Sequence, residues 1–252
     1  MKSEQRGIQS VEVAGHILRM MVEQSAPMSL TEIAERVDSA PAQIFSYLVS
    51  LERTGMLKRD PVTQKYEPGS LSLRLGINAL YAAPKVNAAI AAVERLGQQH
   101  QLNVFVAVWT RFGPVVIFYR EYGMVMNLGF KQGSALSLTR TATGKLFAAL
   151  MPEAACDEII RAQTFTRDDR QLFSRDDFQK TLAHIREQGL SISRSVPTPS
   201  VSALSVPVLD GNGNLHLAIS AFSASHQLDE QKLVTIGNLL KAEARALSGD
   251  SQ

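Results

Sequence analysis

Apolar residues recur at intervals of three and four from Ile8 through Val11, Gly15 and Leu18 to Val22, with Ala14, Ile17 and Met21 beside them. That spacing predicts a helix, and Pro27 ends it. Ser29-Leu30-Thr31-Glu32 then has the form of a capping box, followed by Ile33, Ala34 and Val37 on one side of a short second helix. After the tight turn Asp38-Ser39-Ala40, Pro41 suits a first helical position, and Ile44, Tyr47, Leu48 and Leu51 form the apolar stripe of a third helix that stops at Gly55. Met56-Leu57-Lys58-Arg59 and Lys65-Tyr66-Glu67 flank the turn-rich Asp60-Pro61-Val62-Thr63-Gln64, which predicts two short strands joined as a wing. Helix, short helix, tight turn, helix and hairpin is the order of a winged helix-turn-helix, whose third helix enters the DNA major groove.

From Ser70 to Ala83 the Leu- and Ala-rich pattern points in several directions, as expected of a linker helix, and Pro84 stops it. Val86, Ile90, Val93 and Leu96 then mark another amphipathic helix, to about His100. Beyond it the character changes: Val104–Trp109, Val115–Tyr119 and Met124–Leu128 read as buried strands, the first two joined at Gly113-Pro114. Helical stretches are expected over Thr141–Ala162 and Ser174–Gln188. Strands follow at 190–194, 201–209 and 215–222, with Asp210-Gly211-Asn212-Gly213-Asn214 as a hairpin connection, and a closing helix runs through Leu233, Ile236, Leu240, Ala244 and Leu247. The expected class is α+β: a winged helix-turn-helix over residues 1–69, a linker helix over 70–83, and a domain of helices against a curved antiparallel sheet over 84–252.

Composition narrows the function classes. The 252 residues are 45% hydrophobic and 20% charged, ordinary for globular chains and sufficient for two cores. No apolar run approaches the ~20 residues of a membrane span, and Met1–Arg6 lacks the form of an export signal, so a cytoplasmic protein is expected. The single Cys156 excludes an internal disulfide and a cysteine-built zinc cage. Residues 1–80 hold nine basic and nine acidic side chains, against 17 and 15 in the remainder, so contact with nucleic acid must come from local placement of charge.

On the third helix the face opposite the apolar stripe carries Ala42, Phe45, Ser46, Val49 and Arg53, with Gln43 and Ser50 at its edges. Gln43 suits adenine edges, Phe45 suits thymine methyls, and Arg53, Lys58, Arg59 and Lys65 suit phosphates. The competing reading packs Phe45 on the linker helix or a partner subunit and leaves the polar residues in water. Catalytic signatures are missing. Gly144-Lys145 has Thr139 and Leu146 where a phosphate-binding loop needs Gly and Ser or Thr; the five histidines show no i,i+4 pair, so no metal is expected; no Gly-x-Ser-x-Gly occurs around Ser202 or Ser220; and Asp157 and Glu158 raise the Cys156 thiol pKa. The expectation is no enzyme and no cofactor.

The chain resembles the isocitrate lyase regulator (IclR) family of bacterial transcription regulators. The likeness rests on Ile8-Gln9-Ser10-Val11, Leu48-Val49-Ser50-Leu51 before Gly55, and Arg59-Asp60-Pro61 with Lys65-Tyr66. In the second half it rests on Gly133-Ser134, Thr141-Ala142-Thr143-Gly144-Lys145, Val206-Pro207-Val208-Leu209-Asp210 and Ala218-Ile219-Ser220. The resemblance implies an operator-binding winged helix, a linker helix, and a GAF-like domain that binds a small effector and helps the chain form a homodimer or homotetramer. It places Gly133, Ser134, Thr143 and Gly144 at the effector pocket, where small residues alternatively serve only to let a helix approach the sheet. Arg194 and Ser220 join that site, with Arg194 a ready partner for an organic carboxylate. The chain departs from the family's pattern at Gln43, Phe45 and Ser46, where Lys, His and Arg are common. It departs again at Ser193, Arg194 and Ala203, where acids and a cysteine often stand. A ligand-sensing or purely oligomeric module with weak or lost DNA binding is the alternative, and the balanced charge of residues 1–80 supports it.

Overall fold

The computed structural model describes residues 7–24, 26–81, 83–126, 131–162 and 174–249. The chain divides between Ala83 and Pro84 into two compact units.

The first unit contains α1 (Gln9–Gln24), α2 (Leu30–Arg36), α3 (Pro41–Arg53), β1 (Leu57–Arg59), β2 (Tyr66–Pro68) and α4 (Ser70–Tyr81). The capping box at α2 is formed: the Ser29 amide donates to Glu32 Oε2 at 2.7 Å, and the Glu32 amide donates to Ser29 Oγ at 3.3 Å. Ile17, Ile33, Ile44 and Leu48 are fully buried in one core with Met20, Met21, Leu57 and Tyr66. Removing each large apolar side chain from water contributes roughly 1.5–3 kcal/mol. The stripe expected on α1 is displaced. Ile17, Met20 and Met21 face the core, whereas Ile8, Val11 and Val22 are exposed, because α1 is apolar on two adjoining faces and the three-helix core needs one. The wing hairpin is antiparallel with Lys58 opposite Glu67. Helix α4 is tied to it by the Leu71 amide on the Gly55 carbonyl (2.9 Å) and by the Ser72 hydroxyl on the Met56 carbonyl (2.7 Å). Ala82, which the expected linker helix included, lies outside the described residues.

The second unit runs α5 (Pro84–His100), β3 (Asn103–Thr110), β4 (Gly113–Arg120), α6 (Ala142–Leu150), α7 (Glu153–Ala162), α8 (Arg175–Gln188), β5 (Ser191–Arg194), β6 (Val201–Leu209), β7 (Leu215–Ala224) and α9 (Glu230–Gly249). Its sheet has the order β4-β3-β7-β6-β5, and every pairing is antiparallel. Two expectations differ. The helix expected over 141–162 is broken at Met151-Pro152 into α6 and α7, since proline cannot donate to the preceding turn. Met124–Met126 form no strand, and 127–128 lie outside the described residues.

Side chains alternate across a sheet, so each face has its own row of partners. Phe105, Ala107, Val116, Ala218 and Phe222 face α6, α7 and α8, forming a core with Phe147, Phe178 and Leu182. The alternate positions, among them Val104, Leu204 and Ile219, are buried on the opposite face, where α5 and α9 pack.

Candidate functional site

Helix α3 presents Ala42, Gln43, Phe45, Ser46 and Arg53 to solvent, while Ile44, Leu48 and Leu51 hold it in the core. Phe45 is 45% exposed, so it is not packed on the linker helix of its own chain. Arg53 is exposed and makes no ion pair among the described residues. The wing is ordered by Asp60, whose Oδ1 accepts from the amides of Val62 (3.0 Å) and Thr63 (2.6 Å) and from the Thr63 hydroxyl (3.0 Å). The bonds from Thr63, chiefly its amide, hold the Asp60 carboxyl below its ordinary pKa, so the wing keeps its shape in neutral water. Lys58 pairs with Glu67 at 2.9 Å and Lys65 with Glu32 at 3.8 Å, all exposed enough for the pairs to be exchanged at little cost. The Arg59 guanidinium lies 5.5 Å from the Tyr66 ring centroid, and its Nε donates to the Gln64 carbonyl at 3.3 Å, which fixes its direction.

In the second unit a cavity of about 90 Å3 lies between the first turn of α6 and the sheet. Phe105, Ala203 and Phe222 form its floor, Thr141, Ala142 and Thr143 one wall, and Ser193, Val196, Pro197 and Thr198 the other. Phe105 and Phe222 meet with ring centroids 6.1 Å apart. The Thr143 hydroxyl is 2.9 Å from that of Ser220, which in turn is 2.9 Å from that of Ser205; all three are buried. Thr141 caps α6 by accepting from the Gly144 amide at 2.9 Å. The amides of Ala142 and Thr143 precede any intrahelical acceptor and carry the positive end of the helix dipole at the wall.

The expected effector residues are only partly brought together. Thr143 lines the cavity and Ser220 lies directly behind it. Gly133 and Ser134 do not line it: the Gly133 amide donates to the Val116 carbonyl (2.7 Å), and the Ser134 carbonyl accepts from the Val116 amide (3.0 Å). The Ser134 amide and hydroxyl are engaged by Lys131, so this segment pairs with the β4 edge instead of offering donors. Gly144 is a packing residue. A Cβ there would stand 1.9 Å from the Ser137 carbonyl oxygen, closer than any real contact.

Arg194 is turned to the other face of the sheet, because its neighbour Ser193 faces the cavity and successive residues alternate. Its Nε and Nη2 form a two-point pair with Glu230 of α9, each bond 2.8 Å. Period-two reading from Ser220 would have found Phe222, and the same rule would have favoured Ser193 over Arg194. Val196, Pro197 and Thr198 sit in a loop with no periodic signal.

Together these units define a winged helix-turn-helix protein with a separate domain enclosing a small cavity. The family described as "Bacterial transcriptional regulator IclR C-terminal" matches residues 86–249, and the "IclR helix-turn-helix domain" matches residues 10–61. The chain therefore belongs to the IclR family of bacterial transcriptional regulators. It is 25% identical over 247 residues to the HTH-type transcriptional regulator XynR of Escherichia coli K12, covering 96% of each chain. The crystal structure of an IclR transcriptional regulator from Alicyclobacillus acidocaldarius superposes with a TM-score of 0.84 at 21% identity, covering 98% of this chain and 100% of that one. An IclR homolog of Microbacterium hydrocarbonoxydans, solved in complex with 4-hydroxybenzoate, matches with a TM-score of 0.79 at 15% identity, over 96% and 98% of the two chains. These two likenesses show the fold. Among the described residues no helix is long and apolar enough to cross a membrane.

Proposed function

We propose that this regulator binds operator DNA through the α3 face and wing as a homodimer or homotetramer, and that a small organic acid in the cavity under α6 shifts its operator affinity. The observation that carries the first part is the exposed α3 face. Gln43, Phe45 and Ser46 are available to base edges, and Arg53 on α3 with Lys58, Arg59 and Lys65 on the wing are available to phosphates. One winged helix contacts too little DNA for a specific site, so paired recognition helices are required. The cavity supports the second part: its aromatic floor suits an apolar body, and the first-turn amides and hydroxyls suit a carboxylate. Because Arg194 faces elsewhere, neutral donors carry that recognition. The 4-hydroxybenzoate complex of the Microbacterium homolog supports the same ligand class. A cavity of about 90 Å3 is smaller than the roughly 300–1,000 Å3 of ordinary ligand sites. A ligand must therefore part α6 from the 195–200 loop, and unequal affinity for the closed and opened arrangements is what lets it act as a switch.

A sensor without DNA binding is the competing reading, favoured by the pairing of Lys58 and Lys65 with acids. Gel shifts of genomic fragments at graded salt separate the two, since a regulator gives retention that weakens with salt and a sensor gives none. Calorimetric titration of small carboxylates against the protein and an Arg194→Ala variant tests the cavity. Unchanged affinity is expected in the variant, and its loss would return Arg194 to the site.

A further inference from the structure

A larger cleft, of about 410 Å3, opens on the other side of the same domain, between the C-terminal end of α5, the loop after β4 and the start of α9. Its volume is in the ordinary range for a small-molecule site, and its walls are built. The fully buried Asn103 fixes the 122–124 loop: its Nδ2 donates to the Met124 carbonyl (2.9 Å), and its Oδ1 accepts from the amides of Tyr122 (3.2 Å) and Gly123 (3.0 Å). Gly97 leaves room for the Tyr122 ring, which a Cβ would meet at 2.5 Å, and a Cβ on Gly123 would meet the Gln101 carbonyl oxygen at the same distance.

The lining combines an apolar base with donors. Leu102, Leu228 and Ile236 are buried at its base, and the Tyr122 ring flanks them. At its rim stand the ammonium of Lys232 and the imidazole of His100, neither with an ion-pair partner among the described residues. Gln227 accepts from the Ser223 hydroxyl through Oε1 (2.6 Å), which leaves its Nε2 as a donor. The neighbouring acids are engaged: Glu94 holds Arg120 (3.7 Å) and the Tyr122 hydroxyl (3.2 Å), and Asp229 caps α9 through the Lys232 amide (2.8 Å). The cleft mouth thus sets the Lys232 ammonium and neutral donors over an apolar base, with the Asp229 carboxylate turned to the first turn of α9.

We propose that this cleft is a second ligand site, taking a small organic carboxylate whose charge meets Lys232 and His100 while its apolar body rests on Leu102, Leu228 and Ile236. It is separate from the cavity under α6, since it lies on the α5 and α9 side of the sheet. The two sites can therefore be loaded and disabled independently.

Crystals of the full chain grown with 4-bromobenzoate locate the ligand through the anomalous signal of bromine. A peak in the cleft, lost in Lys232→Met crystals, is expected. Calorimetry on an Ala203→Phe variant, which fills the cavity under α6, isolates the cleft. There Lys232→Met raises the dissociation constant roughly tenfold, as loss of a charge-assisted hydrogen bond requires, and uncharged 4-bromobenzamide binds correspondingly worse. His100→Gln gives a smaller loss in the same direction. Bromine found only under α6 overturns the proposal, as does a cleft occupied by a second copy of the chain. A peak that survives Lys232→Met, with acid and amide binding equally, marks an adventitious additive only and overturns it too.

Discussion

The α3 face and the cavity under α6 place their candidate contact groups at opposite extremes of burial. On α3 the candidate contacts are exposed and the core is held by other residues of the same helix, so chemistry and stability are separable. Under α6 the hydroxyls of Thr143, Ser205 and Ser220 are buried, and Gly144 packs on the chain that precedes the helix, so a change that alters recognition also alters the fold. A recognition surface of the first kind can vary with the operator it reads. One of the second kind varies only where its neighbours can compensate.

The largest expected effect tests that contrast directly. Gly144→Ala forces a Cβ against the Ser137 backbone and should cost about 3 kcal/mol, as overpacking does where no side chain can yield. Gln43→Ala should stay within about 0.5 kcal/mol, as exposed substitutions do. Urea unfolding followed by the fluorescence of Trp109, the single tryptophan, reads the first, since Trp109 stacks on Phe147 of α6 at 5.8 Å; circular dichroism reads the second. Equal, small losses would erase the difference between the regions.

Next, Ser220→Ala leaves the hydroxyls of Thr143 and Ser205 without their shared partner, at a cost of about 1–3 kcal/mol. A neutral result in the same unfolding experiment would mean that the buried hydroxyls find other partners, and that the cavity wall is more adaptable than the α3 face.

On the exposed side, Arg59→Ala should weaken binding to all DNA sequences alike and lower the salt slope by about one, whereas Gln43→Ala should change sequence preference. Fluorescence anisotropy with a panel of operators measures both. Uniform weakening by the Gln43 change would remove it from base reading.

The smallest effect concerns the Cys156 thiol, which burial pushes up to about 11, with Asp157 and Glu153 adding to the shift. A raised folded pKa means the folded state favours the neutral thiol. Its stabilising contribution is whole below the unfolded thiol's pKa of about 8.5 and is lost as pH rises through about 11. Iodoacetamide at pH 8 should modify the native protein far more slowly than the denatured chain, and equal rates would contradict the burial.

Local elements are legible in the chain wherever one residue's chemistry decides its neighbours. The capping box at Ser29 and Glu32, Pro41 at the start of α3, the Ile44–Leu51 stripe and the wing around Asp60 all lie within a few positions of their partners. The α3 face was legible for the same reason, because helical spacing alone separates a buried stripe from an exposed one. The break between α6 and α7 follows locally from Pro152, whereas which of the two apolar faces of α1 is buried was decided by the three-helix core. The cavity belonged wholly to tertiary structure. Strand register joins Ser220 to Ser205 and sets Phe105 beside them, and strand alternation turns Ser193 inward and Arg194 toward Glu230. Those neighbours are distant in the chain, and a shift of one residue in register would exchange every one of them between faces.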